Sequence, residues 1–156
     1  MASDSVVDER SLRELYLTGF EIVVKEAAPK TIMSSYNLVN GTYANENAYL
    51  LQDILRRDWG FSGAVVTDWG GSNDHALGVK NGSTLEMPAP GGDSVRELLA
   101  AVESGKITES DIDAACQSCC RLCLIPRLRW TLPRVSLMRQ PIMRLPAAPP
   151  RKALCC

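Results

Sequence analysis

The first 115 residues of the chain alternate between amphipathic helical segments and short runs rich in apolar and β-branched residues. The short runs occupy residues 31–36, 63–68 and 84–87, and each stops at turn-forming residues or at proline. The run at 63–68 is apolar before its polar end, which is typical of a strand buried on both faces of a parallel sheet. Strands and helices that alternate at this pace predict βα units with right-handed crossovers, and therefore an α/β fold with parallel strands.

Five helices are predicted around these strands. The first carries apolar residues at three- and four-residue steps, has Asp8 or Ser11 as its cap, and ends before Pro29. This spacing, with these start and stop signals, predicts an amphipathic helix. The other four are expected at residues 45–59, 73–80 and 93–104, and from 108 into the first cysteines.

Residues 116–156 differ chemically from the rest of the chain. All eighteen acidic side chains and nine of the seventeen basic ones lie in residues 1–115. Residues 116–156 carry eight basic side chains, no acidic one, all six cysteines and six of the nine prolines. Proline interrupts helices and strands. We therefore divide the chain into a domain at residues 1–115 and a basic tail that is expected to be irregular beyond its start.

Composition disfavours several functional classes. No run approaches the roughly 20 apolar residues that cross a bilayer, and no signal-peptide region is seen, so we expect a cytoplasmic protein with no membrane partner. Without a folded scaffold, the basic tail would bind nucleic acid only nonspecifically. Four cysteines on one helical face would not close a tetrahedron around a metal ion: Cys116, Cys119, Cys120 and Cys123. No cofactor and no metal are predicted.

Side chains able to do chemistry follow each predicted strand. Tyr36, Asp68 with Trp69, and Glu86 stand at consecutive carboxyl ends, where β/α barrels place their reacting groups. A carboxylate beside an indole suits carbohydrate chemistry, because the indole packs on a sugar face while the carboxylate attacks or stabilises an oxocarbenium ion. Structural roles remain open at this point. Asp68 could cap the next helix, Trp69 could pack in the core, Tyr36 could be a core or rim tyrosine, and Glu86 could pair with an arginine.

Several motifs, in order along the chain, resemble one family. They are residues 8–17 with Gly19-Phe20-Glu21, Met33-Ser34-Ser35-Tyr36-Asn37 with Asn40-Gly41, Trp59-Gly60-Phe61-Ser62-Gly63, Val66-Thr67-Asp68-Trp69 and Leu85-Glu86-Met87-Pro88. This order is similar to that in the barrel domain of glycoside hydrolase family 3, which contains β-glucosidases. The fourth motif resembles the nucleophile motif of the family, in which serine usually precedes the aspartate. The resemblance runs from about residue 4 to about residue 115.

The resemblance implies a TIM-barrel-like fold and hydrolysis of β-glucosidic bonds with retention of configuration. Asp68 would be the nucleophile that forms a covalent glycosyl-enzyme. Trp69 and Tyr36 match positions that shape the sugar subsite at the cleaved bond, and Met33 matches a wall of the same pocket. The implied substrate is a β-glucoside or a short β-linked oligosaccharide.

The resemblance leaves the acid/base residue unknown. A retaining glycosidase needs a second carboxyl group about 5 Å from the nucleophile, and in the family a glutamate beyond the matched region supplies it. The family's Lys-His motif is also not found, and the one histidine, His75, lies outside any such motif. Glu46, Asp74 and Glu86 are the candidate substitutes within the chain. The alternative is an inactive, truncated barrel fragment, at most a weak sugar binder.

The resemblance covers about half of a barrel. A complete β/α barrel takes about 250 residues, and a partial one leaves two strand edges without partners. We therefore expect a partial (β/α) TIM-barrel-like domain that is completed by self-association or by rearrangement of the sheet. Self-association would make the protein a homo-oligomer.

Overall fold

The computed structural model describes residues 3–89 and 91–129. It contains five short strands: β1 (Asp4–Ser5), β2 (Thr31–Met33), β3 (Leu38–Val39), β4 (Thr42–Tyr43) and β5 (Ala64–Val66). Its α-helices are α1 (Glu9–Ser11), α2 (Thr18–Ile22), α3 (His75–Lys80), α4 (Asp93–Glu103) and α5 (Glu109–Arg129). Wider π-helical turns are found at Leu12–Tyr16, Val23–Ala27 and Tyr49–Asp58, and a 3₁₀ turn is found at Ala44–Glu46.

The parallel sheet predicted from the sequence is confirmed for its first two strands. β2 and β5 pair in parallel, with Thr31 opposite Ala64 and Met33 opposite Val66. The third predicted strand, at 84–87, forms only a single parallel bridge between Leu85 and Val66. The pairing ends there because the N–H of Met87 bonds to the side chain of Thr67, so no further backbone ladder bond forms at this point.

The first predicted helix is confirmed as one helical segment that runs from α1 to Ala27. Asp8 caps it, since the Asp8 carboxylate accepts the N–H of Ser11 at 2.9 Å. Two of its stretches are π-helical, so its apolar face shifts along the segment. Ala28 then takes a left-handed conformation (φ 44°) and ends the helix just before Pro29.

A small second sheet was not predicted. β1 pairs in parallel with β3, and β3 pairs antiparallel with β4 across a turn at Asn40 and Gly41, both with positive φ. The Asn40 side chain binds the N–H and the carbonyl of Val7, at 2.8 and 2.9 Å, and fixes the segment after β1 to this hairpin. Strands of two residues carry no periodic signal, which is why sequence patterns do not reveal them.

The main core lies between the helices and one face of the β2–β5 pair. Its buried members are Val24, Leu51, Leu55, Phe61 and Val65, and Ile32 and Trp59 pack against them. The strand β5 enters this core at Gly63, where a Cβ atom would clash with the carbonyl oxygen of Lys30. Glycine is therefore required for the close approach of the two chain segments.

The helices α3, α4 and α5 form a second, smaller core. Ala76, Ala101 and Ile107 are buried there, and Leu98, Val102 and Ile112 pack against them. At the start of α5, the N–H and the hydroxyl of Thr108 both donate to the Asp111 carboxylate at 2.8 Å. The second core gives α3 a fixed position next to the carboxyl ends of the strands.

The predicted boundary at residue 116, after which the tail was expected to be irregular beyond its start, does not coincide with the end of a helix. The helix α5 continues through that boundary to Arg129. No glycine or proline occurs between residues 116 and 125, so nothing in this stretch breaks the helix. Residues 130–156, the remainder of the predicted tail, lie outside the described part of the chain. None of the described helices is both long enough and apolar enough to span a membrane.

Candidate functional site

Tyr36 and Asp68, two of the side chains predicted at strand ends, come together at the carboxyl edge of the β2–β5 pair. Met33 lies opposite Val66, and the N–H of Ser34 bonds to the carbonyl of Val66 at 2.8 Å, which continues the pairing beyond β2. Asp68 lies two residues beyond Val66. Desolvation raises the pKa of the Tyr36 hydroxyl, and the negative charge of the neighbouring Asp68 carboxylate raises that pKa further. Tyr36 and Asp68 are therefore neighbours at this edge.

Asp68 lies in a turn that is fixed by backbone hydrogen bonds. Its carboxylate accepts the N–H of Trp69 at 2.7 Å, and its carbonyl accepts the N–H of Gly71 at 2.8 Å. Gly70, with φ 74°, donates its N–H to the carbonyl of Met87 at 2.9 Å. These bonds hold the turn after β5 against the segment that contains the Leu85 bridge.

Asp68 does not cap a helix. The next helix, α3, is capped by Asp74, whose carboxylate accepts the N–H of Leu77 at 2.8 Å. The capping role considered for Asp68 is therefore wrong. Within the described residues, no lysine, arginine or histidine forms an ion pair with the Asp68 carboxylate. The carboxylate is partly exposed and available to a ligand.

Three large side chains around Asp68 are exposed. The exposed fraction is 53% for Met33, 47% for Tyr36 and 55% for Trp69. A core role for Trp69 or Tyr36 within the described chain is therefore wrong. A carboxylate surrounded by exposed aromatic and thioether groups can meet a sugar through charge and through apolar contact at once.

Glu46, the first candidate proton donor, is engaged in hydrogen bonds with the backbone of the turn after Asp68. It is buried, with 5% of its surface exposed. Its Oε1 atom accepts the backbone N–H of Asn73 at 2.8 Å and that of Asp74 at 2.7 Å. Both hydrogen bonds engage the carboxylate of Glu46 with the backbone of the turn that follows Asp68.

Asp74 and Glu86, the other two candidates, are engaged with the helical side of the domain. The hydrogen bond from Lys106 (2.7 Å), together with the capping bond, lowers the pKa of Asp74. Glu86 contacts the Nδ1 atom of His75 at 3.1 Å and does not pair with an arginine. Neither carboxylate contacts Asp68 in the described structure. The contacts of Glu46, Asp74 and Glu86 therefore do not support any of them as the acid/base residue.

The sequence did not reveal two side chains that shape this region. Thr67 is 1% exposed and binds both the N–H and the carbonyl of Met87 through its hydroxyl. His75 lies between the carboxylates of Glu86 and Glu97, at 3.1 and 3.6 Å, and contacts the Ser72 hydroxyl at 3.0 Å. Thr67 could have been noticed in the sequence, because it is a β-branched residue directly before Asp68. His75 lies in no recognisable motif.

A separate apolar groove of about 730 Å³ lies between the first helical segment and the helix at Tyr49–Asp58. Neither Asp68 nor Trp69 lines it, although Met33 does at its edge. Within the described residues, no group of three or more histidine, cysteine, aspartate or glutamate side chains could hold a metal ion. The Asp68 edge is therefore an open site without metal ligands in the part of the chain that the structure describes.

Comparison with known proteins gives one consistent family. The model of the glycosyl hydrolase family 3 N-terminal domain matches residues 3–122. A "Beta-glucosidase" from Rhizobium radiobacter is 50% identical over 115 residues, which are 74% of this chain and 14% of that protein. An "Exo-alpha-(1->6)-L-arabinopyranosidase" from Bifidobacterium breve is 42% identical over 73% of this chain and 15% of its own length.

A solved structure agrees with these sequence matches. The crystal structure of a GH3 beta-glucosidase from Bifidobacterium adolescentis superposes with a TM-score of 0.76 at 35% identity, covering 84% of this chain and 19% of that one. The chain thus spans less than a fifth of the length of these relatives.

Proposed function

The chain belongs to glycoside hydrolase family 3, within its N-terminal domain, and from this premise we propose that it carries the nucleophile half of a β-glucosidase site. Asp68 is the proposed nucleophile of a retaining mechanism. The observation that carries the proposal is the position of Asp68, a partly exposed carboxylate at the carboxyl end of β5 with no cationic partner in the described chain. Tyr36, Trp69 and Met33 are the proposed walls of the sugar subsite.

The chemistry follows from the nucleophile. A carboxylate oxygen of Asp68 attacks the anomeric carbon, the bond from that carbon to the leaving oxygen breaks, and the leaving oxygen takes a proton from an acid. Water then cleaves the glycosyl ester, frees the Asp68 carboxylate, and returns a proton to the same acid/base group. Exposed Trp69 and Tyr36 offer flat apolar surfaces for the sugar ring.

We propose that the acid/base group lies outside the described residues. The carboxylates of Glu46, Asp74 and Glu86 are all engaged with partners other than Asp68. A segment of a longer polypeptide or a second molecule would then have to bring a carboxyl group within about 5 Å of Asp68. Substrates whose leaving group departs without a proton avoid this requirement and isolate the role of the nucleophile.

The first experiment uses such a substrate. The chain is incubated with 2,4-dinitrophenyl 2-deoxy-2-fluoro-β-glucoside, and intact-mass and peptide mass spectrometry follow the covalent adduct. We expect one fluoroglucosyl group on the peptide that contains Asp68, because fluorine slows hydrolysis of the ester. The variant Asp68→Asn should form no adduct, whereas the exposed control Asp113→Asn should react like the unchanged chain. An adduct that survives in Asp68→Asn would refute the assignment.

The second candidate function is sugar binding without turnover. It is favoured by the engagement of all three candidate proton donors with other partners, as described above. Glucose would then change the fluorescence of exposed Trp69 while no adduct formed. Because one relative is an arabinopyranosidase, an aryl α-arabinopyranoside belongs in the substrate panel beside an aryl β-glucoside.

We also propose that self-association covers the open sheet. Two exposed apolar side chains flank β5. Met33 in β2 is 53% exposed, and Leu85, which forms the single bridge to Val66, is 40% exposed. Such unpaired edges and apolar surface favour pairing with another chain. Sedimentation velocity should show a dimer or a larger species, and a monomer at all concentrations would refute this part of the proposal.

A further inference from the structure

The turn that carries Asp68 is held at two points. At its start, the Thr67 hydroxyl and the N–H of Gly70 bind the backbone of Met87. At its end, the backbone N–H groups of Asn73 and Asp74 both donate to Oε1 of Glu46, at 2.8 and 2.7 Å. The six residues between Asp68 and α3 therefore have a fixed point on each side.

Glu46 belongs to a different part of the chain from the turn that it holds. It ends the 3₁₀ turn at Ala44–Glu46, between β4 and the helix at Tyr49–Asp58. The Asn81 side chain donates to the Glu46 backbone carbonyl at 2.6 Å. The preceding residue, Asn45, accepts the hydroxyls of Ser34 and Ser83, at 3.0 and 2.9 Å. The same short turn thus ties the segment after β2 to the segment around α3.

The burial of Glu46 indicates a specific role for its carboxylate. A buried carboxylate is costly unless its charge is hydrogen-bonded, and here two backbone N–H groups meet that requirement. The turn depends on Glu46 in return, because in the described structure the backbone N–H groups of Asn73 and Asp74 have no other hydrogen-bond acceptor. Removal of the carboxylate would free the end of the Asp68 turn.

We propose that Glu46 is a positioning residue that fixes Asp68 and Trp69 through the turn at residues 69–74. The inference rests on the proposed role of Asp68 and adds a residue that never contacts the substrate. Catalytic geometry is sensitive to this kind of support, because a displacement of about 1 Å can cost roughly 100-fold in rate. The carboxylate of Glu46 acts on the reaction only through the backbone that it holds.

The test compares three substitutions in the full chain. Glu46→Ala removes the acceptor, Glu46→Gln keeps an oxygen in the same place, and Glu103→Ala is the exposed control on α4. Amide hydrogen exchange of residues 69–74 is measured by NMR, together with the rate of fluoroglucosyl adduct formation. We expect Glu46→Ala to speed exchange in this turn and to slow adduct formation, each by at least about tenfold. Glu46→Gln should stay within about threefold of the unchanged chain, and Glu103→Ala should match it.

The outcomes separate the two proposals. If the unchanged chain forms no adduct, the proposed function fails, while exchange in the turn still reports whether Glu46 holds it. If the unchanged chain forms the adduct and Glu46→Ala alters neither exchange nor adduct rate, the positioning role is overturned. Equal losses in Glu46→Gln and Glu46→Ala would also overturn it, since the retained oxygen should rescue.

A further variant covers the case in which Glu46→Ala does not fold. Glu46→Asp keeps the charge but shortens the side chain by one methylene, so its oxygen falls short of Asn73 and Asp74. We expect faster exchange in the turn for Glu46→Asp than for Glu46→Gln. The reverse order would show that charge and not the reach of the acceptor matters, which would overturn the proposal.

Discussion

Thr67, directly before Asp68, gives the sharpest test of how the site is built. Its side chain is 1% exposed, and its hydroxyl accepts the N–H of Met87 at 2.9 Å and donates to the Met87 carbonyl at 3.2 Å. The substitution Thr67→Val keeps the shape of the side chain and removes both hydrogen bonds. The substitution Thr67→Ser keeps both bonds, removes one methyl group and introduces the residue usual in the family motif.

The two variants should differ in stability in a predictable order. Loss of a partner for a buried polar group costs about 1–3 kcal/mol. Met87 is only partly buried, so water recovers some of that cost, and Thr67→Val should lose about 2 kcal/mol in total. Loss of a buried methyl group costs about 1 kcal/mol, which is our expectation for Thr67→Ser.

Urea unfolding followed by far-UV circular dichroism measures this difference. We expect unchanged slopes, with the unfolding midpoint of Thr67→Val below that of Thr67→Ser and both below that of the unchanged chain. Equal midpoints for Thr67→Val and the unchanged chain would contradict the role of the hydroxyl. If Thr67→Ser were less stable than Thr67→Val, the methyl group would contribute more to stability at this position than the hydrogen bonds to Met87.

Three other predictions follow from the contacts described above. Ile54 is 1% exposed, so Ile54→Ala should destabilise the protein by about 2–5 kcal/mol, as measured by urea titration. A loss clearly below this range would contradict the core role of Ile54. Because Lys106 lowers the pKa of Asp74, Asp74 stabilises the fold above its unfolded pKa and loses this effect as the pH falls through its folded pKa. Lys106→Met should therefore lower the stability only slightly at pH 7, as expected for an exposed ion pair, and this difference should shrink at pH 3. Urea titration at both pH values measures the difference, and a larger loss at pH 3 would contradict the pairing. Asp68→Asn should lower the pKa of Tyr36, because it removes the neighbouring negative charge. An ultraviolet pH titration measures this pKa when the titration of a Tyr36→Phe variant is subtracted, both in the unchanged chain and in Asp68→Asn. An unchanged pKa of Tyr36 would contradict the proximity of the two groups.

Sequence patterns predicted the elements that extend over several residues. The strands at Thr31–Met33 and Ala64–Val66 and the helix at Tyr49–Asp58 were recognisable because burial on one face or on both leaves a period or an apolar run. The hairpin at residues 38–43 was missed because its strands are two residues long. The continuation of α5 was missed because composition was averaged over the whole of residues 116–156, which hid a stretch without helix breakers.

The candidate site was predictable to a similar degree. The order of strands in a βα fold was enough to place Tyr36, Asp68 and Trp69 at one edge. Met33 was added only by the family resemblance, and the structure has it opposite Val66 at the same edge. The hydrogen-bond partners of the Glu46 side chain were not predictable, because the first of them, the backbone N–H of Asn73, lies 27 residues away in the sequence. Hydrogen-bond partners of this kind are set by tertiary packing and leave no mark in local sequence.

The two cores described above also bear on how the chain folds during its synthesis. Every member of the first core lies between residues 24 and 65, and every member of the second lies between residues 76 and 112. Each core is therefore contiguous in sequence, so its loop-closure entropy is small and it can form early. A chain leaving the ribosome can bury the first core before the second has been translated, because domains and their parts fold from the amino terminus as they emerge. The turn between the two cores, which carries Asp68, bonds to the backbone of Met87, so it gains these hydrogen bonds only after residues beyond the first core have been translated.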